Sequence, residues 1–366
     1  MNALVQRRLD ADDRVWRDRA PMACDRCAFV GFVPAERGGA PCPWCGHGRL
    51  APSGAFVAVA EPELQLPFLA DVATVRVALD GLRRRVWLAD PGFDPARLAA
   101  SVERIWVPAW LVDATVSGHW SAEVGFDVEV TSSEEHLEHG RWVSRPVTRT
   151  KVRWEPRIGE VKRRYDNASA AACRALAEIE ARVGPFDLAS ASPLAADPGT
   201  GFVLAPDVSP EEAWAAACER IGHEVAADCA RATGAAHVRG AKVDADHEDV
   251  HATWVLLPVG SVAWTDERGG RHVVWIHGVT GRADGRVSAS FRRATTWAVG
   301  LGVLGVGVLA LALLTGLLGA VLLPLLAFAP VLAIVGVALC VAAVVPLVYA
   351  GVNGPSSVSA AGSRRL

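Results

Sequence analysis

The sequence predicts an α+β cytosolic body with an N-terminal zinc ribbon and a C-terminal two-helix transmembrane hairpin. Three observations carry this: two CxxC knuckles before residue 50, helical periodicities mixed with strict apolar/polar alternation through the middle, and a run from Ala294 to Ser363 without Asp, Glu, Lys, Arg or His. The expected organisation is a charged N-terminal segment (1–21), the ribbon (22–50), two α+β modules (51–160 and 161–293), the hairpin (294–350) and a cytosolic tail (351–366).

Cys24-Asp-Arg-Cys27 and Cys42-Pro-Trp-Cys45 are separated by fourteen residues, close to the spacing of a structural zinc site. Each knuckle offers two thiolates from a tight turn. A segment as short as Met22 to Leu50 cannot bury a core of its own, so a metal would hold it together. The ligands expected are Cys24, Cys27, Cys42 and Cys45, and a filled four-thiolate shell has no open position for catalysis. Competing readings put His47 in place of one thiolate, or pair the cysteines as disulfides. Arg26, Arg37 and Arg49 against Asp25 and Glu36 do not make a phosphate-binding surface. Cys173, Cys218, Cys229 and Cys340 lie in Ala-rich or apolar stretches and read as small buried hydrophobes.

Along the body, Val72, Val75, Leu79, Leu82 and Val86 recur every three or four residues, predicting an amphipathic helix over Asp71 to Trp87. Ile105 to Val116 is a mostly apolar run, and Trp120 to Val130 alternates apolar and polar residues, so both read as strands. A polar loop, Thr131 to Gly140, is expected next, then a third strand over Arg141 to Trp154. Helices follow over Asn167 to Val183 and from Ser209 to about Ala232; Ser209 and Glu212 form a capping box, with Pro210 in the first turn. Strands over Thr253 to Thr265 and Arg271 to Val279 close the second module, joined by the turn Asp266 to Gly270.

Two features invite a functional reading. Arg145, Arg149, Lys151 and Arg153 fall on one face of the third strand, within a basic run over 145–164. Beside Glu123, Asp127 and Glu129 they would make a cross-strand charge ladder; headgroup contact and nucleic acid are the alternatives. His247-Glu248-Asp249-Val250-His251 is a literal HExxH, whose zinc-protease mechanism needs both histidines on one turn of a helix. Here it precedes an apolar strand signal and lacks helical periodicity. In an extended chain the two histidines stand about 13 Å apart, too far to share a metal. His136 and His139 fall in the polar loop and read as solvated.

Two apolar stretches, about Thr296 to Leu323 and Val331 to Tyr349, are each long enough to cross about 30 Å of hydrocarbon. Pro324 and Pro330 bracket the turn between them. Arg292 and Arg293 precede the first and Arg364 and Arg365 follow the second, which predicts that both ends and the body face the cytosol, with Trp297 and Tyr349 at one interface; an inverted hairpin is the alternative. No secretory signal is read in Met1 to Pro21. The Gly300-x-Gly302-x-x-Gly305 match to a dinucleotide motif opens an apolar span and is rejected. Ala312, Gly316 and Ala320 mark a face for close helix approach, within the hairpin or to a neighbour.

Lys151, Lys162 and Lys242 are the only lysines and none follows a glycine, so no Walker A loop is read and helicase activity is not expected. The formal net charge of −3 gives no global argument for nucleic acid.

Beyond the cysteine quartet, the order of Val107-Pro108-Ala109-Trp110, Pro185-Phe186-Asp187, Gly201-Phe202, Leu256-Leu257-Pro258-Val259 and Gly278-Val279-Thr280-Gly281 with Gly285 beyond resembles bacterial membrane proteins with a TFIIB-type zinc ribbon, often mislabelled PriA-like helicases. Departures are Gly260 where that pattern has Trp, His277 where it usually has Asn, and loss of an acidic/aromatic stretch after Phe202. The resemblance implies a ribbon and α+β body tethered by a C-terminal hairpin, with no enzymatic activity. It also implies partners among SPFH (flotillin-like) and PspA-type membrane-stress proteins. The resulting expectation is a non-enzymatic membrane scaffold bound to the lipid bilayer, with a membrane-tethered nucleic-acid binder as the alternative.

Overall fold

The structure, a computed structural model, describes residues 19–53, 62–138, 141–194, 201–319 and 327–354. Three short strands near the N-terminus, β1 (Arg19–Cys24), β2 (Val30–Pro34) and β3 (Leu50–Pro52), pair antiparallel with β1 in the centre. β4 (Leu64–Gln65), α1 (Val72–Arg84) and α2 (Pro95–Ala100) lead to two very long strands, β5 (Glu103–Glu138) and β6 (Arg141–Ala171). After α3 (Ala175–Val183), β7 (Ser192–Pro193), β8 (Phe202–Leu204) and α4 (Pro210–Ala232) come β9 (His237–Thr265), β10 (Arg271–His277) and β11 (Ala283–Gly285). Among the described residues all eleven strands form one sheet, with the main order β11-β10-β9-β5-β8-β2-β1-β3 and β6 on β5. The protein is thus α+β, with its cysteine-bearing strands continuing the main sheet through β8. The expected division between residues 160 and 161 falls inside β6, and strands from both segments share this sheet.

The run Ile105 to Leu111 is apolar throughout because both sheet faces are covered there. Ile105, Val107, Ala109 and Leu111 pack with α3 and the cysteine unit, whereas Trp106, Trp110, Val112 and Ala114 meet α4. α4 buries Ala213, Ala217, Ile221, Val225 and Cys229, a stripe at every fourth residue, and its Ser209/Glu212 capping box is formed as expected. α1 starts at Asp71, which accepts from the Thr74 amide at 2.7 Å, and buries Val75, Leu79 and Leu82.

Three local expectations are corrected. Thr131 to Glu138 do not loop out: β5 continues through Glu138, paired residue by residue with β6, and the Thr131 and Thr148 hydroxyls meet at 3.3 Å. β-branched and polar residues suit a ribbon that is wet on both faces. Asn167 to Ala171 are not helical, because Ala168 to Ala171 pair with Val112 to Ala109, and this long-range pairing overrides the helix propensity of alanine. The switch occurs at a bulge where Asn167 has φ 62° and its amide donates to Asp113 at 2.7 Å.

The third correction concerns the charge ladder. The register sets Arg149, Lys151 and Arg153 opposite Val130, Val128 and Phe126, and sets Glu123, Asp127 and Glu129 opposite Pro156, Val152 and Thr150. Bases and acids therefore lie on opposite faces, since directly paired residues share a face and one residue of slip exchanges the faces. Two of the acids meet β9 instead: Arg239 bonds Glu123 at 2.7 Å and His237 contacts Asp127 at 2.9 Å. β9 pairs with β5 only as far as Gly125. Beyond it, among the described residues, β5 and β6 continue as a two-stranded ribbon.

The C-terminal part is a helical hairpin: α5 (Phe291–Gly319), then α6 (Phe328–Ala342) and α7 (Val344–Asn353), divided near Pro346. Phe291–Leu318 and Phe328–Asn353 are long and apolar enough to cross a membrane by length and composition, with mean hydropathies of 2.5 and 2.9. Pro330 lies in the first turn of α6; Pro324 and Ala320 lie outside the described residues. The helices come closest at Gly305 and Gly336, where a Cβ on Gly305 would stand 2.7 Å from Cys340 Sγ and one on Gly336 2.6 Å from Leu309. Ala312 and Gly316 line the same interhelical groove, so the small-residue face serves the hairpin itself.

Body and hairpin are stitched together. Glu267, on the β9–β10 turn, accepts from the amides of Phe291 and Arg292 and from the Ser290 hydroxyl, capping α5. The Ala289 amide donates to Asn353 at 2.9 Å, Arg286 to Gly354 at 3.1 Å, and Arg293 to the Ala89 carbonyl at 3.0 Å.

Candidate metal centre

Cys24 closes β1, Cys27 follows in the turn to β2, and Cys42 and Cys45 lie in the turn before β3. Each knuckle is closed by its own backbone: the Cys24 amide donates to Phe29 O at 2.9 Å, and the Cys42 amide to Gly48 O at 2.8 Å. Asp25 ties the knuckles together, its amide donating to Arg49 O at 3.2 Å and its carboxylate accepting from the Arg49 amide at 2.8 Å. The four sulfurs converge within 4.8 Å of one another. Cys24 and Cys45 are 3.8 Å apart, as are Cys27 and Cys42. A tetrahedron with metal–sulfur bonds of about 2.3 Å has edges of about 3.8 Å.

The surroundings fit sulfur ligation of a metal ion. The Arg26 amide points at Cys24 Sγ from 3.3 Å, and those of His47 and Gly48 at Cys45 Sγ from 3.4 Å, so backbone donors face the charge that thiolates would carry. A Cβ on Gly48 would collide with Cys24 Sγ, and Gly46 holds φ 69°. The Cys27–Cys42 hydrogen bond draws the Cys42 thiol down to about 6 and, with burial, pushes Cys27 up. Burial raises Cys24. His47 turns its Nδ1 to the Cys45 carbonyl at 2.6 Å, and is not among the four converging ligand atoms.

This unit is fused to the body. Trp44 lies edge-on against Trp275 of β10 at 4.6 Å, and Met22, Phe29, Cys42 and Leu50 share a core with β5 and β9. β2 meets β8 so closely that a Cβ on Gly31 would collide with the Val203 carbonyl. Spacing alone pointed to the four cysteines that converge here. Gly31 and Gly48 were missed, though the Cys45-Gly-His-Gly48 run carries the signal that side chains are excluded there.

The other motifs do not form a site. HExxH lies in β9, where Asp249 has φ 50° at a break in the β5 pairing. His247 pairs with Val116 and His251 with Asp113, so the break turns them to opposite faces. His247 faces α4, with its ring 5.3 Å from Trp214 and Nε2 3.7 Å from Cys218 Sγ. Among the described residues the four-cysteine group is the one cluster suited to a metal. His136 is exposed near Glu134, and His139 lies outside the described residues. Cys173 and Cys229 are buried, the former pushed up to about 12 by burial and Asp207; Cys218 and Cys340 are half-buried.

The segments around Pro185, Pro258 and Gly278 converge instead on His277. Its ring stacks on Phe186 at 4.1 Å, Nε2 donates to Pro185 O at 3.2 Å, and Nδ1 accepts from the Val279 and Thr280 amides. The Gly278 amide donates to Pro258 O at 2.9 Å. Those contacts demand a neutral imidazole, and burial lowers the His277 pKa. The node is 2% exposed, so it is architectural.

Comparison of the chain with protein-family models, curated proteins and solved structures finds no match.

Proposed function

We propose that this protein is a non-enzymatic, membrane-anchored zinc-ribbon scaffold that gathers a protein assembly at the cytoplasmic face of a membrane. The observation that carries the proposal is the ribbon of β5 and β6 beyond Gly125, two-stranded and exposed, at the opposite end of those strands from the hairpin junction. At about 3.3 Å per residue the 36 residues of β5 span roughly 115 Å. A lone two-stranded ribbon has marginal stability in water, so a partner that covers it gains contact at little structural cost. Leu137 and Trp142 near its tip are 60% and 70% exposed.

The metal in this reading is zinc, structural because four thiolates fill its shell. The hairpin crosses the bilayer twice and holds the body and C-terminus in the cytosol, with Arg292 and Arg293 retained on that side. Membership of the TFIIB-type zinc-ribbon membrane family and a partner of the SPFH or PspA kind complete the proposal, on the motif order alone. The test is affinity purification of the full chain in mild detergent, beside a variant in which residues 128–151 are replaced by a two-residue turn between the paired Asp127 and Val152. The account expects a partner that the full chain recovers and the shortened one does not. Equal recovery by both, or none by either, contradicts it.

A membrane-tethered nucleic-acid binder is the second reading, favoured by one observation: the register leaves Arg149, Lys151, Arg153 and Arg157 on a face without the acids Glu123, Asp127 and Glu129. Glu134 and Glu155 still engage Arg149, Arg153 and Arg157. Salt-sensitive retardation of labelled DNA or RNA by the full chain in detergent would favour this reading.

A further inference from the structure

A groove of about 640 Å³ opens where the body meets the hairpin. Arg83, Arg84 and Arg293 face it against one carboxylate, Asp80, and Trp87 and Trp297 complete its wall. The two indoles are 48% and 56% exposed, unusual for tryptophan at a junction this well bonded. Arg83 and Arg84 end α1, offsetting the partial negative charge of its carbonyl end. Among the described residues their guanidinium groups make no ion pair. Arg293 spends one side-chain N–H on Ala89 O, and among the described residues its other guanidinium N–H groups meet no protein acceptor. Trp297 is four residues further along α5, on the same helix face and about 6 Å closer to the apolar end.

We propose that this groove binds the headgroup of an anionic phospholipid from the leaflet facing the body. The site rests on the membrane reading of the hairpin given above. Guanidinium groups from two separate elements match the oxygens of a phosphate, which arginine engages by paired hydrogen bonds. Indole rings favour the headgroup level of a bilayer, and α5 runs from this groove straight into its apolar span. A soluble anion would satisfy the arginines and leave both indoles in water, whereas an amphiphile satisfies both. Trp87 is braced for this role: its ring packs edge-on against Tyr349 at 5.4 Å, and its amide donates to the Tyr349 hydroxyl at 3.1 Å. The wall therefore stands preformed between α1 and the returning helix.

The test is native mass spectrometry of the full chain in mild detergent, given equimolar phosphatidylglycerol and phosphatidylcholine. The wild type should retain phosphatidylglycerol preferentially. Removing a cation near an anionic surface should cost about five-fold in retention each, so R83Q/R84Q should lose roughly 25-fold, while R83K/R84K, which keeps the charges and gives up the paired hydrogen bonds, should lose less than R83Q/R84Q. Asp80→Asn should raise retention, because it removes the one opposing charge. Unchanged metal content and melting temperature show that each variant is folded; R84Q alone replaces any double variant that is not. Equal retention of the two lipids, or indifference to R83Q/R84Q, overturns the site and leaves the membrane reading standing. Displacement of the lipid by millimolar inorganic phosphate overturns it in favour of a soluble anion. A chain that stays soluble without detergent overturns the membrane reading and the site together.

Discussion

Gly48 shows how closely the cysteine cluster is fitted. Its missing Cβ leaves room for Cys24 Sγ, and its amide faces Cys45 Sγ at 3.4 Å. Gly48→Ala should therefore displace Cys24 and lower metal affinity about 10- to 100-fold, measured by competition with a chromogenic chelator. An unchanged affinity would mean that Cys24 is not a ligand. His277 makes a second residue-scale prediction. Burial holds its pKa below the ordinary 6.5, so the unfolded chain takes up the proton first. The stability it contributes is intact above about pH 6.5 and is lost as pH falls through the folded value. His277→Asn keeps an acceptor for the two amides and cannot titrate, so melting temperature followed from pH 7.5 to 5 should fall less steeply than in wild type. His277→Ala should cost about 1–3 kcal/mol even at pH 7.5, because it leaves buried partners unmet. The convergence of the four cysteines was legible in the sequence because knuckle spacing is local. His277 was not, because its partners come from residues 185 and 279–280, which only the fold brings together.

Elements were legible where their signals are contained within them. α1 and α4 carry apolar stripes and side-chain caps, and the hairpin carries its hydropathy, so all three appear where periodicity puts them. The long strands were harder. Bulges at Asn167 and Asp249 change which face each residue occupies, and no local pattern announces a bulge without glycine. The charge ladder failed for that class of reason, since acids and bases alternate correctly along each strand and the pairing alone decides whether they meet. In the hairpin, the glycine run rejected as a nucleotide motif supplies Gly305 to the helix crossing. Gly305→Leu should force α5 and α6 apart by more than a methyl group can absorb, costing on the order of 1–3 kcal/mol of packing. A cysteine pair introduced at Gly316 and Ala329, where a Cβ on Gly316 would stand 3.7 Å from that of Ala329, would report it: oxidation should cross-link the pair in the parent and slow markedly in the Gly305→Leu background. Equal rates would place the contact elsewhere.

At the scale of the molecule, three parts that could have been separate are joined. The cysteine unit extends the main sheet through β8, α4 braces the root of the arm, and Glu267, Arg286 and Arg293 fasten the sheet to the hairpin. The helix pair therefore carries a stiff body instead of a head on a linker, which suits the proposed role of presenting the β5–β6 ribbon at a set position. The measurement that tests this most directly is alkaline carbonate extraction of membranes from cells making the full chain, with metal content determined on the sedimented protein. The account predicts that the chain stays with the bilayer and holds one zinc ion per copy. Release of the intact chain into the supernatant would contradict it.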